Sequence, residues 1–321
     1  MIVLLGATGY VGQALAEAMR RRKLPFLSVA RSEVDYASPP ALRDHLRRTK
    51  PAFVINAAGF TGKPNVDACE TRPAETLAGN ALFPLALAMA CAEADIPWGH
   101  VSSGCIYSGC LVERDGHWVA EKDVNLPEVR RLAIEAPHRL RGFDESMAPN
   151  FSFRDGPCSF YSGSKALGEE AIAGIGRHYV WRLRIPFDHR DGARNYLSKL
   201  IRYERVYDAL NSLSRLDDFA EACLDCIVQG VPFGTYNVVN PGFVSAREVV
   251  EKIRHGLRLS REFRYWEGDR EFYRTGAAAL RSNCLLDPSK LLRAGVRLRP
   301  VGEALDQAIA HWVPERATEL R

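Results

Sequence analysis

The segment Ile2–Gly12, with the sequence IVLLGATGYVG, decides the fold of this chain. Its apolar start predicts a buried β-strand, and the amphipathic stretch Val11–Lys23 predicts a helix directly after it. Gly6, Gly9 and Gly12 are spaced G-x-x-G-x-x-G between the two. Glycines there allow a tight turn and let the backbone N–H groups of a helix N-terminus approach a pyrophosphate. The segment therefore predicts a dinucleotide site, with a merely structural turn as the alternative.

Short apolar runs alternate with helical patterns through the first half of the chain. We predict strands at Ile2–Leu5, Phe26–Ala30, Ala52–Asn56, Trp98–Ser102 and Tyr179–Ile185. We predict helices at Val11–Lys23, Pro40–Thr49, Glu75–Ala94 and from Tyr161 to Gly174. This alternation is typical of an α/β fold with a doubly wound parallel (Rossmann) sheet, whose strands are apolar throughout because both faces are buried.

The pattern divides the chain into two predicted domains. Residues 1–185 form a dinucleotide-binding Rossmann domain, and residues 186–321 form mainly a smaller α+β substrate-binding domain, with some segments returning to the first. An insertion of about residues 109–158 interrupts the first domain; it is charged and proline-dotted, with a helical stretch near Leu126–Ala136. Long irregular segments in compact domains are often lids or binding loops. We interpret the insertion as one of these, the alternative being a surface insertion without a role.

Composition narrows the class of protein. With 321 residues, 46% of them hydrophobic, the chain can bury a sizeable core, and its formal charge of +4 is too mild to indicate a nucleic-acid partner. The sequence shows no run of 18 apolar residues, so we expect no membrane span and a cytoplasmic protein with its eight cysteines reduced. Cys223 and Cys226 form a C-x-x-C pair within a helical segment, which favours buried apolar residues over a metal site. We therefore expect no metal.

The residue after the second predicted strand bears on the choice of cofactor. An acidic residue there would hydrogen-bond the adenosine ribose of NAD, whereas an arginine accommodates the 2′-phosphate of NADP. This chain has Arg31 there, which favours NADP, although Asp35 is close enough to keep NAD open. The residues that we predict to contact the cofactor are Gly6, Thr8, Gly9, Tyr10, Val11, Gly12, Arg31, Asn56, Ala57, Ala58, Tyr161 and Lys165.

A tyrosine and a lysine four residues apart, Tyr161 and Lys165, indicate the chemistry. Both lie on one face of a predicted helix, where the ammonium can lower the pKa of the phenol from about 10 toward neutrality. Ser103 follows the strand Trp98–Ser102 at the sheet edge where ligands bind, so its hydroxyl could hold a substrate carbonyl and orient Tyr161. We therefore predict hydride transfer to or from a carbonyl, with Tyr161 handling the proton. For the pair alone, the alternative is an ordinary helix start with an exposed lysine.

Several short polar motifs are spread across both predicted domains. They are Asn56–Gly59 (NAAG), Thr61–Asp67 (TGKPNVD), Gly104–Tyr107 (GCIY), Phe160–Lys165 (FYSGSK), Arg182–Pro186 (RLRIP), Arg194–Tyr196 (RNY), Asn240–Gly242 (NPG) and Arg281–Asn283 (RSN). On these residues the chain resembles an extended short-chain dehydrogenase/reductase over nearly its whole length. It is most similar to the dTDP-4-dehydrorhamnose reductase family, and within it to the bifunctional 3,5-epimerase/4-reductases of nucleotide-linked rhamnose synthesis in plants.

The resemblance implies a nucleotide-sugar substrate with a ketone at C4. It places the reductase roles on Ser103, Tyr161 and Lys165. It also places the epimerase acid/base pair on Cys105 and Lys199, whose chemistry fits because a C4 ketone acidifies the hydrogens at C3 and C5. His189 is an alternative partner for Cys105, because the pKa of histidine is already close to neutrality. Simple packing of the cysteine, and a phosphate contact or solvent exposure for the lysine, are the alternatives.

Substrate contacts are also implied by the resemblance. The substrate-binding residues are predicted to be Lys63, Cys105, Arg184, Asn195 and Lys199. Arg182 and Arg194 would either bind the diphosphate or pair with acids in the fold. The insertion at residues 109–158 is longer than its equivalent in the plant enzymes and leads into the Tyr161 helix, so it is the main departure from the family.

The function that we predict is an NAD(P)H-dependent reductase of a nucleotide-activated 4-keto-6-deoxy sugar, with 3,5-epimerase activity as an addition. One alternative is a redox-neutral nucleotide-sugar epimerase or dehydratase that retains its cofactor and turns over without added NADPH. Another is a non-catalytic nucleotide-binding regulatory subunit, against which the complete set of Ser103, Tyr161 and Lys165 argues. A homodimer is considered as the assembly, because dimers are the commonest symmetric oligomers.

Overall fold

The computed structural model describes residues 1–63 and 65–315. Pro64, part of the motif TGKPNVD, and residues 316–321 of the predicted second domain lie outside the described residues. The strands are, in chain order, β1 (Ile2–Leu5), β2 (Phe26–Val29), β3 (Phe53–Asn56), β4 (Trp98–Ser103), β5 (Cys110–Arg114), β6 (His117–Glu121), β7 (Leu140–Arg141), β8 (His178–Leu183), β9 (Pro186–Phe187), β10 (Arg205–Val206), β11 (Leu210–Asn211), β12 (Ser214–Arg215), β13 (Gly234–Asn237), β14 (Val244–Ser245) and β15 (Arg264–Tyr265). The α-helices are α1 (Tyr10–Arg21), α2 (Pro39–Thr49), α3 (Pro73–Leu77), α4 (Phe83–Glu93), α5 (Pro127–Glu135), α6 (Phe160–Ile172), α7 (Tyr196–Arg202), α8 (Leu216–Val228), α9 (Ala246–Gly256), α10 (Asp269–Thr275), α11 (Ser289–Arg293) and α12 (Val301–Ala310).

Six strands form one parallel sheet in the order β2-β1-β3-β4-β8-β13. β1 and β3 consist only of buried residues, as expected of strands that are covered on both faces. The chain leaves β1 for β2 on one side and then crosses to β3 on the other. At such a reversal the carboxyl ends of the strands leave a crevice that binds ligands. The predicted fold class, a doubly wound parallel α/β sheet, is confirmed.

Alternate residues of these strands face two apolar layers. Leu4, Ile55 and Trp181 pack in a layer that includes residues of α1 and α8. Val3 and Trp98 pack in a second layer that includes residues of α2 and α4. Because side chains alternate along a strand, one sheet can anchor helices on both faces and hold the carboxyl ends of its strands in register.

The C-x-x-C pair lies in the first of these layers. Cys223 and Cys226 are fully buried in α8, and both belong to that apolar cluster. Burial raises the pKa of Cys226 to about 12, so its thiol stays protonated at neutral pH. Both cysteines therefore pack as small apolar residues, as the sequence suggests.

The helix predicted over Glu75–Ala94 is interrupted in the structure. A π-helical turn at Ala78–Leu82 separates α3 from α4. By length and composition alone, Pro73–Glu93 could cross a membrane, with a mean hydropathy of 1.3 in its most apolar window. Half of that window is buried inside the protein, and the core helix of a globular protein passes the same test, so this helix is weak support for a membrane span.

The sequence predicts an irregular insertion at residues 109–158. The structure shows a small folded unit there instead. β5, β6 and β7 form an antiparallel sheet in the order β6-β5-β7, and α5 matches the predicted helical stretch. Isolated bridges join Gly109 to Cys284 and Phe143 to Leu286. The insertion is therefore attached to residues near the C-terminal end of the chain.

Residues beyond β8 build a separate apolar cluster. Leu197 of α7, Val249 of α9 and Leu305 of α12 are buried together in it. β13 nevertheless returns to the edge of the central sheet, beside β8. The domain division at residues 185 and 186 stays a prediction.

Candidate active site

The glycine turn between β1 and α1 has no space for side chains. Gly6 has φ +77°, and a Cβ atom there would lie 2.6 Å from the backbone nitrogen of Ala58. A Cβ atom on Gly12 would lie 2.1 Å from the carbonyl oxygen of Gly6. Gly9 precedes the first turn of α1, which contains no acidic residue. The turn and the unpaired N–H groups of this helix start therefore fit the pyrophosphate of a dinucleotide.

The other residues predicted in this turn contribute mainly through their backbone. Thr8 is exposed, and its carbonyl accepts a hydrogen bond from Gln13 Nε2 (3.1 Å). Tyr10 and Val11 are partly buried against the core of the sheet. Burial, together with the nearby carboxylates of Asp188 and Asp217, raises the pKa of Tyr10. These side chains position the helix start and leave its N–H groups for the ligand.

Both basic and acidic side chains follow the end of β2. Arg31 is exposed, its guanidinium 5.9 Å from the ring centre of Tyr36, and it forms no ion pair within residues 1–63 and 65–315. Asp35 Oδ1 accepts a hydrogen bond from the Ala37 N–H (3.3 Å). Glu33, which the sequence argument did not single out, accepts the Ala30 N–H through its carboxylate (3.1 Å). Arg31 is thus exposed at the position after β2 that suits a 2′-phosphate. The Glu33 carboxylate is occupied by the Ala30 N–H at the end of that strand.

The predicted cofactor contacts at the end of β3 act through the backbone. Asn56 is fully buried; its Nδ2 lies 3.1 Å from His100 Nδ1, and its Oδ1 accepts the Ala58 N–H (2.9 Å). Burial holds the pKa of His100 well below its usual value, so the ring stays neutral. The Ala57–Ala58 backbone packs directly against Gly6. Asn56 therefore shapes this edge of the crevice and does not point into it.

Ser103, Tyr161 and Lys165 are brought together at the carboxyl end of β4. Ser103 is the last residue of β4, and its hydroxyl lies near enough to Tyr161 to lower the pKa of that phenol. Tyr161 lies in the first turn of α6, which the Ser159 side chain caps by accepting the Ser162 N–H (3.2 Å). Lys165 follows one turn later on the same helix. Its Nζ lies 3.3 Å from the place that a Cβ atom on Gly59 would occupy, which puts the ammonium beside the end of β3.

The electrostatics of this group differ from the expectation in one respect. Burial raises the pKa of Tyr161, the neighbouring thiols of Cys105 and Cys69 add to the rise, and the hydrogen bond to Ser103 opposes it. The predicted lowering by Lys165 is therefore wrong for the free chain. Lys165 is only 6% exposed, and burial lowers its own pKa. Desolvation outweighs the opposing effects of the Ser103 hydroxyl and the Arg194 charge on the pKa of Tyr161.

Asn80 is part of this site, although none of the sequence motifs includes it. It lies in the π-helical turn and is fully buried. Its Oδ1 accepts the Phe60 N–H (2.9 Å), and its Nδ2 donates to the Phe60 carbonyl (2.8 Å) and to Ser164 Oγ (3.1 Å). A side-chain amide ties the loop after β3 to the helix of Tyr161. The available signal was a polar residue in an otherwise apolar helix.

The two residues predicted for epimerisation have different surroundings. Cys105 lies just after β4, where its N–H donates to Ser103 Oγ (3.2 Å), and the hydroxyls of Ser103 and Ser162 lie near enough to its thiol to oppose the effect of burial on the thiol pKa. Burial raises the pKa of this thiol. Lys199 lies in α7, and burial together with the charges of Arg194 and Arg281 lowers its pKa. The charge of Arg194 also lowers the pKa of Tyr161, so Arg194 influences both Lys199 and Tyr161.

His189 is not a partner for Cys105. Its Nδ1 lies 2.7 Å from Asp188 Oδ1 and 3.8 Å from Asp217 Oδ2. The adjacent Arg190 pairs with Glu17 of α1 at 2.7 Å. These contacts hold His189 beside the start of the chain's first helix, so this alternative is wrong.

The residues predicted to bind the substrate also differ in their exposure and hydrogen bonding. Lys63 is exposed on the loop after β3. Arg184 is buried; its Nη2 donates to Asn211 Oδ1 (2.6 Å) and to the Ser282 carbonyl, while its Nε is buried without a hydrogen-bond partner in the described chain. Asn195 is fully buried, with Nδ2 donating to the carbonyls of residues 188 and 190 and Oδ1 accepting the N–H groups of residues 188 and 197. Asn195 caps α7, so a direct substrate contact is wrong for it.

The arginines of the sequence motifs have different partners in the structure. Arg182 is buried and bound to Glu169 (2.6 Å), so it belongs to the fold. Arg194 donates to the Gly62 carbonyl (2.7 Å). Arg281, which the sequence argument left without a role, forms a bidentate pair with Asp67 (2.5 and 2.8 Å). Two cations from the second half of the chain therefore hold the loop that carries Lys63.

The fold and this group of residues resemble those of an extended short-chain dehydrogenase/reductase, and comparisons with known proteins show which members the chain is similar to. Residues 1–129 match the model of the RmlD substrate binding domain. The bifunctional dTDP-4-dehydrorhamnose 3,5-epimerase/dTDP-4-dehydrorhamnose reductase of Arabidopsis thaliana is 29% identical over 99% of this chain and 95% of its own length. A trifunctional UDP-glucose 4,6-dehydratase/UDP-4-keto-6-deoxy-D-glucose 3,5-epimerase/UDP-4-keto-L-rhamnose-reductase of that plant is 30% identical over 94% of this chain. The chain spans 41% of that longer relative.

Solved structures agree on the fold. The L780 UDP-rhamnose synthase of Acanthamoeba polyphaga mimivirus aligns with a TM-score of 0.79 at 22% identity, covering 97% of this chain and 98% of the other. The dTDP-4-dehydrorhamnose reductase of Bacillus anthracis, solved in complex with NADP, aligns with a TM-score of 0.74 at 18% identity, covering 97% of each chain. The predicted resemblance is confirmed: the chain is similar over nearly its whole length to a bifunctional dTDP-4-dehydrorhamnose epimerase/reductase, and its residues 1–129 match the RmlD substrate binding domain.

Proposed function

We propose that this protein reduces the C4 ketone of a nucleotide-linked 4-keto-6-deoxy sugar with NADPH. The observation that carries the proposal is that Ser103, Tyr161 and Lys165 lie together at the sheet edge, with Ser103 beside the Tyr161 phenol and the Lys165 ammonium beside Gly59. The relatives named for dTDP-4-dehydrorhamnose and UDP-4-keto-rhamnose reduction support the substrate class.

Each side chain has a distinct task in the reduction. NADPH, when bound on the glycine turn, supplies a hydride. Ser103 donates a hydrogen bond to the carbonyl oxygen at C4, and Tyr161 delivers a proton to that oxygen as it becomes an alcohol. Lys165 lies beside Gly59, where a cofactor ribose would reach it. Asn80 acts as a positioning residue, because it fixes α6 against the loop after β3.

The diphosphate of the substrate would be held by a group of cations. Lys199, Arg194 and Arg281 are near enough to interact, because the two guanidinium charges, together with burial, lower the pKa of Lys199. An anion placed among them would relieve that repulsion.

The experiment that tests the whole proposal mixes the purified protein, NADPH and a UDP- or dTDP-linked 4-keto-6-deoxy sugar. NADPH absorbance should fall as the 4-hydroxy sugar forms, and a rate no higher than that without sugar would contradict the proposal.

We propose 3,5-epimerisation as a second activity of the same site. Cys105 adjoins Ser103 and Ser162, and Lys199 is a lysine of lowered pKa near the same space, so the two could exchange protons with carbons flanking the ketone. Cys105→Ala should slow deuterium uptake from D2O at C3 and C5 by about 10²–10⁴-fold, because one proton carrier is lost. NMR or mass spectrometry of the recovered sugar measures this uptake in the absence of NADPH.

A buried cysteine far from the site provides the control. Cys223→Ala removes a thiol from the core of α8, so it should leave the deuterium uptake at the wild-type rate. Lys199→Met should lower the uptake at one of the two carbons. Equal uptake by Cys105→Ala and the wild-type protein would show that this thiol carries no proton.

The cofactor preference, assembly and compartment are also proposals. Arg31 at the end of β2 supports NADPH over NADH. A homodimer is supported by apolar side chains that are exposed on neighbouring helical segments, namely Leu82 (61%), Met89 (45%) and Leu167 (39%). The mild charge and reduced cysteines support a soluble cytoplasmic protein without nucleic-acid or membrane partners.

A further inference from the structure

The loop after β3 contacts the second half of the chain through one side chain and the helix of Tyr161 through another. It contains a 3₁₀ helix at Val66–Cys69, which Asn65 caps by accepting the Asp67 N–H (2.8 Å). Cys69 is fully buried and fixes this turn to the core. Glu70 follows directly, and its N–H donates to the Asp67 carbonyl (3.1 Å). Side chains three residues apart in a 3₁₀ helix lie above one another, so Asp67 and Glu70 leave the turn on the same side.

Asp67 attaches this turn to the second half of the chain. Its two carboxylate oxygens accept from the Arg281 guanidinium (2.5 and 2.8 Å), and the two side chains are only 23% and 24% exposed. A bidentate pair of this kind fixes direction as well as distance. Arg194 adds a second contact by donating to the Gly62 carbonyl (2.7 Å). Gly62 has φ +66°, and a Cβ atom there would lie 2.7 Å from Ala68 Cβ, so the loop is closed tightly on itself.

Glu70 attaches the same turn to α6. Its Oε1 accepts the N–H of Phe160 (2.8 Å), the first residue of that helix, which lies 90 positions later in the chain. The first N–H groups of a helix have no partner within it. Ser159 accepts the N–H of Ser162, whereas that of Phe160 depends on Glu70. Because Phe160 directly precedes Tyr161, this carboxylate holds the backbone next to the proposed proton donor.

Resting on the proposed function, we propose that Asp67 and Glu70 are positioning residues for Tyr161. Asp67 anchors the turn on Arg281, and Glu70 carries that anchor to the start of α6. A carboxylate at a helix N-terminus is also favoured by the helix dipole. The placement of the proton donor therefore depends on a residue of the second half of the chain, although Tyr161 lies in the first half. Neither acid touches the reacting atoms.

Kinetics of Glu70 variants test the last step of this connection. Glu70→Ala should lower kcat for sugar reduction by about tenfold, because about 1 Å of misplacement of a reacting group can cost about 10²-fold. KM and the NADPH affinity should stay at their wild-type values, since the proton donor is displaced and the ligand contacts are kept. Glu70→Gln should retain the wild-type kcat, because its amide oxygen can accept the same N–H. A wild-type kcat in Glu70→Ala would overturn the proposal.

A carboxylate at another helix start controls for a merely structural effect. Glu248 accepts the Ser245 N–H (2.6 Å) at the start of α9, a helix that carries none of the predicted site residues. Glu248→Ala and Glu70→Ala each remove one acceptor from a helix start, so both should lower the melting temperature slightly. Only Glu70→Ala should lower kcat. An equal loss of kcat in both variants would reduce Glu70 to a structural cap and overturn the proposal.

Hydrogen exchange tests the whole connection without any turnover. In Asp67→Ala the Phe160 N–H should exchange faster than in the wild-type protein, because the turn that holds Glu70 has lost its anchor on Arg281. Mass spectrometry of a peptide spanning residues 155–165 measures this, and a peptide from the start of α9 should not change. Should Asp67→Ala fail to melt cooperatively, Asp67→Asn replaces it.

The outcomes separate this connection from the reductase proposal. Unchanged exchange at the start of α6 overturns the connection even in a protein that reduces the sugar. Conversely, faster exchange in Asp67→Ala, in a protein whose wild type does not reduce the sugar, counts against the reductase alone.

Discussion

Replacing Tyr161 by phenylalanine should lower kcat for sugar reduction by about 10²–10⁴-fold, the usual contribution of a positioned general acid. The ring would stay in its partly buried place at the start of α6, so only the hydroxyl that donates the proton is lost. NADPH affinity should change little, because the glycine turn and Lys165 are untouched. Steady-state kinetics, combined with NADPH titration of each protein, separates these two effects.

A second buried tyrosine gives the matched control for this change. Tyr236→Phe removes one hydroxyl that donates to the Pro232 carbonyl (2.7 Å) on the edge strand β13. It should cost about 1 kcal/mol of stability and leave kcat unchanged. Equal rates for Tyr161→Phe and Tyr236→Phe would show that the phenol of Tyr161 is not the proton donor.

The pH dependence of the reduction follows from the same group. Burial raises the pKa of Tyr161, so the phenol keeps its proton below a value that is higher than the ordinary value of about 10. A general acid is active in its protonated form and loses activity as pH rises through its pKa. We therefore expect kcat to show no decline between about pH 7 and pH 9, whereas a thiol- or imidazole-dependent step would titrate there.

The second large effect is expected at the glycine turn. Gly12→Ala places a Cβ atom 2.1 Å from the Gly6 carbonyl oxygen, a contact that the backbone cannot accept without moving. Overpacking of this kind costs about 1–3 kcal/mol and displaces the N–H groups that would face the pyrophosphate. NADPH affinity should fall by more than tenfold, measured by fluorescence titration on protein that still melts cooperatively.

A helical glycine in an open place controls for the added methyl group. Gly302 is the second residue of α12, and a Cβ atom there meets nothing within 4 Å. Gly302→Ala should bind NADPH like the wild-type protein and be at least as stable, because alanine favours helix. Unchanged NADPH binding by Gly12→Ala would contradict the assignment of this turn to the cofactor.

The sequence predicts the central sheet well because its signals are local. β1 is a continuous apolar run, β3 is apolar up to Asn56, and the glycine turn needs only a few neighbouring residues to be recognised. The hairpin of β5 and β6 also has a local signal, since Asp115 and Gly116 form a two-residue turn with φ +50° and +76°. This D-G turn lies within a charged segment. The overall composition of that segment therefore predicts an irregular insertion, although the hairpin has its own local signal.

The site was predictable where roles depend on spacing along one helix, as for Tyr161 and Lys165. It was less predictable where a polar side chain can face either a ligand or the backbone. Asn195 is an example, because its amide satisfies four backbone groups instead of a substrate. Arg281 and Asp67 pair across 214 positions, and no local pattern reveals such a contact.

The most direct test of the central claim follows the hydride itself. The wild-type protein is supplied with NADPH deuterated at C4 of the nicotinamide and with a UDP- or dTDP-linked 4-keto-6-deoxy sugar. The account predicts one deuterium at C4 of the sugar for each NADPH oxidised, and a slower reaction with NADH. A sugar product formed without NADPH oxidation, or one lacking deuterium at C4, would contradict it and favour redox-neutral chemistry with a retained cofactor.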